Sequence, residues 1–128
     1  MEIVEYNGTT LAYIGDAVMS LYVRHMLVAQ GWQKPKVLQK KSEAWVSAKA
    51  QAKFLVALQE QEFFDEVEKA MILRGRNAKT NTIAKNADVA TYRLATGLEA
   101  VIGYLEIMNK QERLKEVLDK IKEIGEQV

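Results

Sequence analysis

The scarcity of helix-breaking residues is the feature that most constrains how this chain can fold. It has one proline, Pro35, and seven glycines in 128 residues, so long helices can form almost anywhere. Apolar residues recur at spacings of three and four, and strand-like alternation is absent. The pattern predicts an all-α fold, with residues 1–128 forming a single domain.

Capping residues and periodicity indicate five helical stretches. Thr9 or Thr10 can cap the first stretch, which should end near Gln30, before Gly31. Pro35 suits the first turn of the second. The expected bounds are 9–30, 35–60, 63–74, 88–108, with Asp88 as cap, and 111–124. The intervening residues 75–87 are polar and are predicted to form a loop.

Composition excludes several kinds of chemistry. There is no cysteine, so disulfides, thiolate metal sites and cysteine nucleophiles are absent, and one histidine, His25, cannot supply a pair of imidazoles. The N-terminus lacks the features of a signal peptide. No apolar run reaches the roughly 18 residues that a membrane span needs. We therefore expect a cytoplasmic protein with no membrane partner.

Two carboxylates stand out because each is the only charge in an apolar helical stretch. Asp16 is alone in residues 9–23 and Glu99 is alone in residues 94–105. Burying an unpaired carboxylate costs several kcal/mol, roughly, so such a group protonates, finds a cation or binds a metal. Glycines beside both acids would let another backbone or a ligand approach. Two acids on facing helices would suit a hard cation such as Mg²⁺.

The same residues are also compatible with a structural role. Either acid could cap a neighbouring helix or pair with an arginine just outside its stretch, such as Arg24 or Arg93. Spacing alone does not choose between these roles, nor does it specify a reaction.

The net charge of +1 hides strong local excesses. Residues 34–53 contain six lysines against Glu43, a net of +5, and residues 74–85 carry +4 with no acid. Residues 57–71 carry −4. An argument for a nucleic-acid partner therefore depends on where the charges lie.

The segment RGRNAKTNT at residues 74–82 combines cations with short amides and hydroxyls, which suit phosphate oxygens and ribose hydroxyls. Aromatic residues that would stack on single-stranded bases are absent from residues 74–87. If nucleic acid binds here, a duplex backbone is favoured, whereas the simpler interpretation is a solvated loop. The candidate RNA-binding residues are Arg74, Arg76, Asn77, Lys79 and Lys85.

Two acidic motifs resemble those of the ribonuclease III catalytic domain. LAYIGDAV at residues 11–18 is similar to its signature, close to LEFLGDAV, and LEAVIG at 98–103 is similar to its second acidic motif. VSAKAQA at 46–52, RGRNAK at 74–79 and YRLATG at 92–97 resemble the Mini-ribonuclease III branch. The resemblance covers residues 9–110, and the chain ends where longer enzymes begin a double-stranded-RNA-binding domain.

This resemblance implies an all-α, homodimeric endonuclease that cleaves double-stranded RNA with Mg²⁺ and leaves 5′-phosphates. For the Mini-III branch it implies maturation of bacterial 23S ribosomal RNA, with a ribosomal protein possible on the substrate. By position, Asp16 and Glu99 would be the catalytic and metal-binding acids.

Two departures from the larger enzymes leave fewer carboxylates per site. Ala12 stands where those enzymes have a glutamate, and Thr96 where they have an aspartate. Ions held through water and RNA phosphates are therefore favoured. The alternative class is a non-catalytic all-α module that binds RNA or protein, in which both acids would be structural.

Overall fold

Six helices make up the computed structural model, which describes residues 6–78 and 88–127. Their bounds are α1 Gly8–Ala29, α2 Pro35–Val46, α3 Ala48–Glu60, α4 Glu66–Arg76, α5 Val89–Ile107 and α6 Gln111–Glu126. No strand occurs among the described residues. The prediction of an all-α fold is confirmed.

Helix boundaries differ from the prediction where local capping decides them. Asn7, rather than Thr9 or Thr10, caps α1, because its side chain accepts from the backbone N–H of Thr10 at 2.8 Å. Gly31 ends that helical region with a φ of 101°, a conformation open to glycine. Asp88 caps α5 as predicted, accepting from the backbone N–H of Ala90 at 2.9 Å.

The predicted single helix over residues 35–60 was wrong, because Ser47 divides it into α2 and α3. Ser47 has an extended backbone with ψ of 155°, and its hydroxyl accepts from the backbone N–H of Ala50 at 3.2 Å. The serine thus caps α3 and lets the chain turn between two lysine-bearing helices. Periodicity continues across the break, which is why the sequence pattern did not reveal it.

The predicted start of α4 at residue 63 was also wrong. The helix begins after Asp65, which forms a capping box with Glu68, and extends to Arg76. Gly75, predicted to lie in a loop, is helical and packs against Ala100 and the carbonyl of Thr96. Residues 79–87, the rest of the predicted loop, lie outside the described residues.

Helix α5 is the centre of the fold. It packs against α1, α3, α4 and α6, and residues 100–105 along it are all buried. Helix α1 is different, because only one face is buried while Tyr13, Leu21 and Val28 are 79%, 59% and 57% exposed. The two apolar stretches that carry Glu99 and Asp16 therefore differ, because α5 is enclosed by other helices whereas α1 keeps an exposed outer face.

Candidate active site

Asp16 and Glu99 meet where α1 crosses α5. The crossing is very close: a Cβ at Gly15 would overlap the carbonyl oxygen of Glu99, and one at Gly103 would overlap the carbonyl oxygen of Leu11. The glycines beside the acids therefore serve a backbone-to-backbone approach. It places the Asp16 and Glu99 carboxyl groups close enough to interact directly.

The environment of Glu99 favours its neutral form. Burial raises the pKa of the half-buried Glu99 carboxyl to about 8, and Asp16 adds to the rise through a hydrogen bond and like-charge repulsion. Protonated Glu99 can donate this hydrogen bond to the Asp16 carboxylate. Asp16 itself is exposed, so the pair has one carboxyl facing solvent and one lying below it.

Gln51 is a third polar group at this site, and the sequence analysis missed it. Its side chain is 1% exposed, and its amide lies close enough to the Glu99 carboxyl to oppose the rise in the Glu99 pKa. A signal was present, because Gln51 lies four and seven residues before the apolar Leu55 and Leu58, on the buried face of α3.

The donor set fits a hard divalent cation that keeps much of its own water. Two adjacent carboxyl groups supply oxygen ligands, which Mg²⁺ prefers. No group of three or more acids, histidines or cysteines that could hold a metal ion occurs within residues 6–78 and 88–127. Ala12 is buried, and the Thr96 hydroxyl donates to the carbonyl of Tyr92 at 2.9 Å. Water or substrate oxygens would have to complete the coordination.

The candidate RNA-binding residues have different surroundings. Arg74 Nη1 donates to the carbonyl of Tyr6 at 2.9 Å in a partly buried contact. The side chain of Arg76 passes over Gly97, since a Cβ there would lie 2.8 Å from its Cγ. Asn77 is the exposed C-cap of α4. Lys79 and Lys85 lie outside the described residues.

The six lysines of residues 34–53 lie on or beside two helices instead of one. All are exposed except Lys41, which is partly covered because its Nζ lies 3.9 Å from the centre of the Trp32 ring. The basic surface is therefore bent at Ser47, between α2 and α3.

The outer face of α1 is an exposed apolar stripe. Tyr13, Leu21 and Val28 share one side of the helix with the exposed residues Ala17 and Arg24. An open groove between α1 and α2, whose lining includes Val28, Leu38 and Val46, continues this face. The stripe begins one helical turn before Asp16.

Comparison with known proteins assigns the class of this fold. The sequence pattern of the ribonuclease III domain matches residues 9–110, which contain both acids. A solved structure from Fusobacterium nucleatum superimposes with a TM-score of 0.82 at 31% identity, covering 94% of this chain and 95% of that one.

Closer relatives narrow the class. The Mini-ribonuclease 3 of Enterococcus faecalis is 49% identical over 95% of this chain and 93% of its own length. That of Staphylococcus aureus is 50% identical over 90% of this chain and 86% of its own. The chain belongs to the Mini-ribonuclease III family, and its activity is that of a ribonuclease III-type endoribonuclease. No helix in the described ranges has the length and apolarity needed to span a bilayer.

Proposed function

We propose that this protein is a Mg²⁺-dependent endonuclease that cleaves double-stranded RNA, with residues 1–128 acting as one catalytic domain. The observation that carries this proposal is the contact between the Asp16 and Glu99 carboxyl groups. Among the described residues, no larger group of acids and histidines offers an alternative metal site. The resemblance to the Mini-III branch supports maturation of 23S ribosomal RNA as the role. Such a substrate, with or without a bound ribosomal protein, would place the enzyme in the cytoplasm.

Asp16 and Glu99 would hold the Mg²⁺ ion. When bound, the ion supplies an activated water and neutralises charge on the scissile phosphate and the leaving 3′-oxygen. Asp16 presents its carboxylate at the exposed edge of the crossing, where an RNA phosphate can approach. Glu99 holds a proton in the free protein and must release it to act as a ligand. His25 is exposed on α1 and lies nine residues beyond Asp16, which is too far along the helix for its imidazole to act as a general base at the acid pair.

Duplex binding is assigned to the basic end of α4 and the segment after it, together with the lysines of α2 and α3. A-form RNA is recognised mainly through its phosphates and 2′-hydroxyls, which cations and short polar groups can contact. Because Arg74 bonds to the Tyr6 carbonyl, replacing it would also disturb packing. Arg76, Asn77, Lys79 and Lys85 are therefore the better residues for testing RNA contact.

The exposed stripe of α1 supports a homodimer. Contiguous exposed apolar side chains of this kind commonly mark protein interfaces, and the stripe runs beside the acid pair. Leu21→Glu should convert the dimer into a monomer in analytical ultracentrifugation. A wild-type protein that sediments as a monomer at micromolar concentration would remove the dimer from the proposal.

A cleavage assay tests the proposed activity. Incubated with an RNA duplex, the protein should cut in Mg²⁺, stop cutting in excess EDTA, and leave 5′-phosphates on the products. A single strand of the same sequence should be cut much more slowly. Binding of the duplex without cutting, in saturating Mg²⁺, would favour the alternative of a non-catalytic RNA-binding module.

Salt dependence tests the RNA-binding surface. Replacing Arg76, Lys79 and Lys85 together with alanine should weaken duplex binding and reduce the slope of log affinity against log salt by about 3, since roughly one counterion is released per phosphate contact. An unchanged slope would exclude this segment from the interface.

A further inference from the structure

Gln51 is a buried polar residue, and one of its polar atoms lacks a hydrogen-bond partner within the fold. One end of its amide is fixed, because Nε2 donates to the carbonyl of Val46, the last residue of α2, at 3.0 Å. Its Oε1 is buried and makes no hydrogen bond with any described residue. Leaving a buried acceptor unpaired costs about 1–3 kcal/mol. An apolar side chain of the same length would avoid that cost.

The position of the amide suggests why glutamine is kept. Helix α3 packs against α5, and this packing places the buried Gln51 amide next to the Glu99 carboxyl. An amide NH₂ has two hydrogens, so one can bond the Val46 carbonyl while the other points to Glu99. The anchor is firm, since Val46 directly precedes the Ser47 cap that fixes the turn between α2 and α3.

We propose that Gln51 is a positioning residue, whose anchored amide holds the Glu99 carboxyl in the orientation at which both Glu99 and Asp16 can bind one divalent cation. This inference rests on the proposed function and adds to it a residue that orients a metal ligand. Partners of metal ligands commonly contribute about 10–100-fold to metal affinity or activity. Here the partner comes from a third helix, so the site depends on α3 as well as on α1 and α5.

The test compares Gln51→Met with wild type and with Leu58→Met, a volume-conserving control at a fully buried position two turns along α3. Binding of Mn²⁺ alone to the free protein is followed by electron paramagnetic resonance. Duplex cleavage is then measured across a Mg²⁺ titration, and folding is checked by circular dichroism and denaturant unfolding.

Gln51→Met should weaken Mn²⁺ binding and raise the Mg²⁺ midpoint for cleavage, each by about 10-fold or more. It should lower kcat with little change in KM for the duplex, and should unfold at nearly the same denaturant concentration as wild type. Leu58→Met should behave as wild type in all assays. A variant that is less stable but has unchanged Mn²⁺ affinity, Mg²⁺ midpoint and kcat would overturn the proposal, because Gln51 would then be structural only.

The two proposals fail separately. If wild-type protein does not cleave the duplex in Mg²⁺, the proposed function fails, while the Mn²⁺ measurement still decides the role of Gln51. If wild type cleaves and Gln51→Met cleaves equally well at every Mg²⁺ concentration, only the positioning role fails. Should Gln51→Met lose its helical signal, Gln51→Leu serves in the same assays with the same expected results.

Discussion

Glu68 and Glu99 are both carboxyl groups withdrawn from solvent inside one small helical fold, but their surroundings differ. Glu68 is 2% exposed, and both its oxygens bond Arg113, at 2.8 Å to Nε and 2.9 Å to Nη2. It also accepts a hydrogen bond from the backbone N–H of Asp65 and so closes the capping box of α4. Glu99 instead faces another acid, Asp16.

These two environments indicate that the role of a carboxyl withdrawn from solvent depends on its partner more than on the extent of its burial. A buried acid with a bidentate arginine and a cap bond is satisfied within the protein, so it stabilises the fold. A half-buried acid that faces another acid lacks a partner for its charge until it takes up a proton or a cation binds. Glu68 therefore belongs to the scaffold, and Glu99 belongs to the candidate active site.

Replacing Glu99 should have the largest effect on activity and tests whether Glu99, unlike Glu68, belongs to the active site. Glu99→Gln should reduce duplex cleavage by more than about 100-fold, which exceeds the loss expected for a residue that only orients a metal ligand, while the protein stays folded. Glu106→Gln, on the same helix but away from Asp16, is the matched control and should retain full cleavage. An active Glu99→Gln enzyme, measured in single-turnover cleavage, would mean that both buried acids are structural.

Removing the cation that pairs with Glu68 should instead affect stability. Arg113→Met should lower the free energy of unfolding by about 3 kcal/mol, because it leaves the Glu68 carboxylate buried without its cation. Lys69→Met removes an exposed pair with Glu66, 3.2 Å long, and should cost less than about 1 kcal/mol. Denaturant unfolding measures both. If both variants lost the same free energy of unfolding, the buried Arg113–Glu68 pair would contribute no more to stability than the exposed Lys69–Glu66 pair.

The crossing that creates the acid pair can be tested at Gly15. Gly15→Ala places a methyl group on the backbone of Glu99, so α1 and α5 must separate, at a cost of about 1–3 kcal/mol. Cleavage should fall as well, since the carboxyls move apart. Ala44→Ser adds an atom to an exposed helical position and should change little. A Gly15→Ala protein with wild-type stability and activity would contradict the close approach.

A smaller effect should appear in the pH dependence of metal-free protein. Because the pKa of Glu99 is raised to about 8 in the folded state, its stabilising contribution is complete below the unfolded pKa near 4.5 and is lost as pH rises through 8. The stability of wild type relative to Glu99→Gln should therefore fall by roughly 2 kcal/mol between about pH 5 and pH 8.5. A constant difference, measured by denaturant unfolding at each pH, would argue against the raised pKa.

Sequence alone located the two acids because each is a lone charge in an apolar stretch, a pattern that survives without knowledge of tertiary contacts. It also predicted five helical stretches that overlap the six helices of the structure, since apolar spacing is a local property. It did not reveal the break at Ser47, because the periodicity on both sides is compatible with one helix.

Other features depend on contacts between distant residues and were missed for that reason. Glu68 was counted only toward the net charge of −4 in residues 57–71, since its partner Arg113 lies 45 residues away. Gly75 was assigned to a loop, although packing against α5 holds it in a helix. Gln51 lies among lysines in the sequence, and only the packing of α3 on α5 shows that its side chain is buried.

The most direct test of the central claim separates binding from cleavage at Asp16. Wild-type protein and Asp16→Asn are compared for affinity to an RNA duplex in Ca²⁺ and for cleavage of that duplex in Mg²⁺. If the acid pair is the metal-binding active site, Asp16→Asn should bind the duplex with nearly wild-type affinity but should not cut it. An Asp16→Asn protein that cuts at the wild-type rate would contradict the assignment.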